Sequence, residues 1–120
     1  MSQVLIVEDS KTEMEKLKRC LEGSGYTVQG VTSGEEAEIR VKQQRPSLIL
    51  LDVILPGESG FELCRKLKDD PNTKSIPVVI YSTKDKEMDR TWGNMSGADA
   101  YLSKSVDEQT LIQTVSQLMN

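Results

Sequence analysis

At 120 residues the chain is long enough for one ordinary hydrophobic core and too short for two domains. Its 37% hydrophobic and 28% charged residues are those of a globular protein, and a net charge of −4 argues against nucleic acid or an anionic membrane as a partner. There is no histidine, which excludes a phosphohistidine donor and an imidazole base. No apolar run approaches the ~20 residues of a bilayer span, and no charged segment precedes an apolar one at Met1, so a cytoplasmic protein without membrane insertion is expected.

The first predicted strand runs from Val4 to Glu8, where VLIVED offers the unbroken Val, Ile and Leu of a strand covered on both faces and then closes on Glu8 and Asp9. Met14, Leu17 and Leu21 follow at helical spacing, and Gly23 and Gly25 end that helix. Thr27 to Thr32 forms the second strand, Ser33 caps a helix carrying Ala37 and Val41, and Pro46 lies where that helix has stopped. The third strand, Ser47 to Val53, contains SLILLD and so brings Asp52 to its end with no local partner. A helix with Leu63 and Leu67 follows, then Pro71 and a fourth strand from Pro77 to Ser82. Met88, Trp92 and Met95 lie on one helical stripe, which predicts core packing; an exposed Trp92 would instead be a docking anchor. Gly93 within that helix costs ~1 kcal/mol against alanine and points to close packing or a mobile helix. Ala100 to Ser103 is the fifth strand, followed by Lys104, a cap at Asp107 and the stripe Leu111, Ile112, Val115 and Leu118. Cys20 and Cys64, in two different helices and without CxxC spacing, read as small reduced core-edge residues.

Five strand–helix units imply right-handed crossovers and an α/β fold, with a parallel sheet, helices on both faces and a ligand crevice at the carboxyl ends of the strands. Glu8, Asp9, Asp52, Ser82 and Lys104 all belong to that edge. Three converging carboxylates repel and raise one another's pKa unless a cation sits among them, which suggests a hard divalent metal and phosphate chemistry. The acidic pair also suits a helix N-terminus, and Lys104 could neutralise Asp52 or hold a phosphoryl oxygen.

The segments VLIVEDS, LLDVILPGESG, PVVIYST and GADAYLSKS, in this order and spacing, make the whole chain resemble a response-regulator receiver domain of the chemotaxis-regulator kind. The resemblance implies a single receiver domain over residues 1–120, a flavodoxin-like sheet in the order 2-1-3-4-5 and a monomer. It implies that Asp52 accepts a phosphoryl group from a histidine kinase or phosphotransfer protein. Asp9, Asp52 and the carbonyl of Ile54 would ligate Mg2+, with Glu8 acting mainly through a water. Lys104 would neutralise the phosphoryl oxygens. Ser82 would bond the phosphoryl group and move, and Tyr101 would turn inward as the second half of a switch. Output would pass through the fourth helix, fifth strand and fifth helix to a motility or signalling protein. Turnover of a separate substrate is not implied. TKDKEMDRTWGNMSGADAYL, EDSKTEMEKL and SVDEQTLIQTV are similar to receivers of pilus-based twitching and phototaxis systems.

The chain departs from the family pattern at several positions. Ser105 stands where a proline, often cis, is common; a non-proline cis bond costs ~2.5 to 4 kcal/mol, so a trans peptide is expected after Lys104. Thr83 replaces a smaller residue and narrows donor access, while apolar Ile54 cannot orient water and Lys84 occupies the other hydrolysis-assisting position, so dephosphorylation should be slow. Three other readings share the architecture. A flavodoxin-type cofactor binder would suffer repulsion from Glu8 and Asp9, and an aspartyl-phosphate hydrolase lacks its second acid because Ser10 and Lys11 follow Asp9. A phosphorylation-independent interaction module is the third.

Overall fold

The computed structural model describes residues 2–119. The strands are β1 (Gln3–Val7), β2 (Thr27–Val31), β3 (Leu48–Leu51), β4 (Val78–Ser82) and β5 (Ala100–Ser103). The helices are α1 (Lys11–Gly23), α2 (Gly34–Gln43), α3 (Gly60–Asp69), α4 (Glu87–Met95) and α5 (Glu108–Met119). All neighbouring strands pair in parallel, in the order β2-β1-β3-β4-β5. This is the five-stranded flavodoxin-like arrangement expected from the resemblance.

Period-two alternation divides the apolar runs between two cores. Val4, Ile6, Leu48 and Leu50 face Leu17 and Leu21 of α1 and Leu111 and Val115 of α5. Leu5, Val7, Ile49 and Leu51 face Ala37 and Val41 of α2 and Leu63, Cys64 and Leu67 of α3. Because β1 and β3 are buried on both sides, β1 after its half-buried first residue Gln3 and the whole of β3 are apolar until the chain leaves the sheet.

Caps fix where the helices begin. The hydroxyls of Ser10, Ser33 and Ser59 accept from the backbone N–H three residues on, and Glu62 returns the bond to Ser59 in a capping box. Asp107 accepts from Thr110 N–H at 2.8 Å. Gly25 follows α1 with φ +94°, a region that L side chains avoid.

Two expectations need correction. β3 ends at Leu51, two residues before Val53, because Asp52 and Val53 already turn toward α3. The Met88, Trp92 and Met95 stripe is not core: these side chains are 69%, 56% and 70% exposed. α4 packs instead through Gly93, where a Cβ would stand 2.5 Å from Tyr101 Cδ2 and 3.4 Å from Ile80 Cδ1. The glycine lets the helix approach β5 and turns the apolar stripe outward.

Candidate phosphoryl-transfer site

One local device recurs at four strand ends. A side-chain oxygen of the last strand residue, or of the residue after it, accepts the backbone N–H two positions later. Glu8 accepts from Ser10 at 3.0 Å, Asp52 from Ile54 at 3.1 Å, Ser82 from Lys84 at 3.2 Å and Ser103 from Ser105 at 3.1 Å. Each bond bends the chain away from the sheet and leaves the remaining side-chain capacity pointing into the crevice. The short polar residues at these ends therefore shape the loops as well as line the site.

Lys104 joins the ends of three strands. Its Nζ donates to Glu8 Oε1 at 2.6 Å and to Asp52 Oδ2 at 2.9 Å, with Glu13 Oε1 farther out at 3.7 Å. Glu8 is only 2% exposed and Asp52 6%, so this cation offsets two carboxylates that water barely reaches. Burial pushes the Glu8 carboxyl up more than its bonds from Lys104 and Ser10 pull it down, and the Asp52 charge adds to the rise. Burial also opposes ionisation of Asp52, but hydrogen bonds from Lys104, Ser82 and the Ile54 N–H outweigh it and hold that carboxyl below its ordinary value. The Lys104 ammonium is desolvated, yet its two carboxylate partners raise its pKa. Of the two buried acids, Asp52 is thus the better-stabilised anion.

The expected convergence of three carboxylates is replaced by two acids meeting at a lysine, because the ammonium fills the space between Glu8 and Asp52. Asp9 is exposed and makes no hydrogen bond or ion pair with another described residue. No group of three or more acids, cysteines or histidines among the described residues stands close enough to hold a metal unaided. The donor set still suits Mg2+, which binds through one or two carboxylates and keeps several waters; Asp9 is a free carboxylate directly beside Glu8 in sequence.

Ser82 is fully buried at the end of β4. Its hydroxyl accepts from Lys84 N–H and helps hold the Asp52 carboxyl below its ordinary value, while the Lys84 carbonyl accepts the hydroxyl of Tyr101. Tyr101 is half-buried, with Arg90 stacked 5.4 Å from its ring centroid and Phe61 at 6.5 Å. Burial, with the charge of Asp89, pushes the phenol up to about 12. Ile54 is 49% exposed and Thr83 is exposed. The Lys104–Ser105 peptide is trans, as Ser105 leads one to expect.

Sequence reasoning did not find Asp85, Ser103 or Arg90. Asp85 accepts from Ser103 Oγ at 2.7 Å, and Arg90 reaches both the Asp85 carbonyl at 3.3 Å and the Tyr101 carbonyl at 3.2 Å. No local signal marks these pairs, since Asp85 and Ser103 are 18 positions apart. Gly60 is also part of the site's frame: a Cβ there would lie 2.1 Å from the Asp52 carbonyl oxygen.

The chain is similar to known proteins over nearly its whole length. Protein PilH of Pseudomonas aeruginosa is 42% identical over 119 residues, covering 99% of this chain and 98% of that protein. The structure of the Vibrio cholerae chemotaxis protein CheY4 matches with a TM-score of 0.91 at 27% identity, over 98% of both chains. The Mn2+-bound form of response regulator Rcp1 matches with a TM-score of 0.83 at 31% identity, over 98% of this chain and 91% of that one. The family model for the response regulator receiver domain matches residues 4–116. With Glu8 and Asp52 meeting at Lys104 and Ser82 buried at the neighbouring strand end, the chain belongs to the response regulator receiver domain family and is a two-component response regulator.

Proposed function

We propose that Asp52 accepts a phosphoryl group from a phosphohistidine on a histidine kinase or phosphotransfer protein. The observation that carries this reading is the placement of Lys104 Nζ against both Asp52 and Glu8, buried acids 52 and 96 positions away in sequence. An ionised Asp52 oxygen forms a bond to phosphorus as the bond from phosphorus to the donor nitrogen breaks, and the donor imidazole keeps that electron pair. Catalysis of such a transfer is positioning plus neutralisation of charge on the equatorial oxygens. Asp9, Asp52 and the Ile54 carbonyl are the groups for Mg2+, with Glu8 acting through a water, and the bound cation would supply part of that neutralisation. Lys104 supplies the rest, and Ser82 donates its hydroxyl to the new phosphoryl group.

The Ser82–Lys84–Tyr101 chain supports the two-part switch. A pull on Ser82 Oγ is passed to the backbone of Lys84, whose carbonyl holds the Tyr101 hydroxyl. Beside Tyr101, the exposed Met88, Trp92 and Met95 offer α4 as the anchor of an output surface continued by β5 and α5. The likeness to PilH and to twitching and phototaxis receivers supports a motility pathway in the cytoplasm. In this reading the protein is a monomeric signal carrier and not a turnover enzyme.

The test is intact mass after incubation with Mg2+ and acetyl phosphate, beside Asp52→Asn and a metal-free control. One phosphoryl increment requiring both Mg2+ and Asp52 is expected. No increment would favour the phosphorylation-independent module, with Ser105 and Thr83 as the responsible departures.

A further inference from the structure

Lys104 is the middle residue of a tight turn whose stability does not come from Lys104 itself. Ser103, the last residue of β5, is 6% exposed, and its hydroxyl accepts the Ser105 N–H at 3.1 Å while lying 2.8 Å from Ser105 Oγ and 2.7 Å from Asp85 Oδ2. A serine hydroxyl has one proton and two lone pairs, and an ionised carboxylate can only accept. Ser103 therefore gives its proton to Asp85, and Ser105 supplies the proton between the two serines. All three valences of the Ser103 oxygen are used, and the Asp85 charge fixes the direction of the whole chain. The turn is completed by Val106 N–H to the Ser103 carbonyl at 3.1 Å, and Lys104 N–H is tied to the Ser82 carbonyl at 3.0 Å.

Asp85 sits in the loop that follows Ser82 and Lys84, and Arg90 fastens that loop to β5 through the Asp85 and Tyr101 carbonyls. We propose that Asp85 is a positioning residue for phosphoryl transfer: through Ser103 and Ser105 it fixes the turn that holds Lys104 against Asp52. The same bonds make the loop after Ser82 and the loop bearing Lys104 one unit, so the serine and the lysine meet the phosphoryl group in register. With Ser105 in this turn, side-chain hydrogen bonds perform the constraint that a rigid ring would otherwise impose. The inference rests on Asp52 being the phosphoacceptor.

The experiment is a double-mutant cycle with Asp85→Ala, Ser103→Ala and the pair, read as the rate of Asp52 phosphorylation by acetyl phosphate at saturating Mg2+. Each single change should slow the maximal rate by about five-fold, because Lys104 loses its fixed approach, and the pair should be no slower than either alone. Mg2+ half-saturation should stay close to the wild type in every variant, since neither Asp85 nor Ser103 touches the proposed metal groups. The thermal midpoint of Asp85→Ala should hold because Asp85 is exposed, whereas Ser103→Ala removes a buried hydroxyl and should lower it modestly. Asp85→Asn, which keeps an acceptor oxygen without the charge, should fall between wild type and Asp85→Ala. Unchanged rates in the variants, independent effects that multiply in the pair, or a loss confined to Mg2+ half-saturation would each overturn the inference while leaving Asp52 as phosphoacceptor. A wild-type protein that takes no phosphoryl group would overturn both.

Discussion

Lys104 is the single residue on which the electrostatics of the crevice depends. Removing it leaves Glu8 and Asp52 buried without a cation, a change that costs about 3 kcal/mol or more at neutral pH. In the native protein Asp52 titrates below its ordinary value of 3.8, so its contribution to stability is present above that value and is lost as pH falls through the lower folded one. Glu8 behaves oppositely: its raised pKa means a contribution present below 4.5 that is lost as pH rises through the folded value. Without Lys104, burial and mutual repulsion raise both carboxyls. The deficit of Lys104→Met, measured by urea unfolding, should therefore be larger at pH 7 than at pH 5; an equal deficit would mean the pair is solvated. The cysteines give a second residue-scale test. Burial pushes both Cys20 and Cys64 up to about 11, so at pH 8 each holds on the order of a hundredfold less thiolate than a thiol of ordinary pKa. Alkylation of the native protein should be slow at pH 8, faster toward pH 11, and immediate in urea. Rapid native labelling would contradict the packing of α1 and α3.

At the scale of elements, two glycines set how helices approach the site. The Cβ of Gly60→Ala would stand 2.1 Å from a backbone oxygen of Asp52 and 2.8 Å from Val53 Cα, and neither can rotate away. Because α3 would have to back off, a loss of about 3 kcal/mol and slower Asp52 phosphorylation are expected, read by urea unfolding and by the mass assay. Gly93→Ala is a closer contest. Alanine gains ~1 kcal/mol of helix propensity in α4, but its Cβ would press on Tyr101 Cδ2 at 2.5 Å and Cε2 at 2.8 Å. The ring cannot swing freely, being tethered by the Lys84 carbonyl and covered by Arg90. Overpacking should win by about 1 kcal/mol net. A more stable Gly93→Ala protein would show that the ring yields without cost.

For the whole molecule, the outward turn of α4 decides what the protein can show to a partner. Trp92, the only tryptophan, is 56% exposed and meets Phe61 edge to face at 5.9 Å. Its emission should shift little on unfolding, and Trp92→Ala should change stability by only about 0.5 kcal/mol while weakening capture of the output partner by the phosphoryl-mimic form. A large loss of stability would return Trp92 to the core. Unbroken apolar runs with polar ends, read along the chain, determined five strands, five helices, the parallel sheet and the edge where Glu8, Asp9, Asp52, Ser82 and Lys104 belong, because strand burial and helix periodicity are local consequences of residue order. The identity of the pairs was not local. Which acid meets Lys104, and that Asp85 reaches Ser103, depended on the order in which crossovers bring strand ends together. The stripe on α4 was misread for the same reason: spacing tells which face of a helix is apolar, but only the close contact of Gly93 with Tyr101 decided that this face would meet water instead of the sheet.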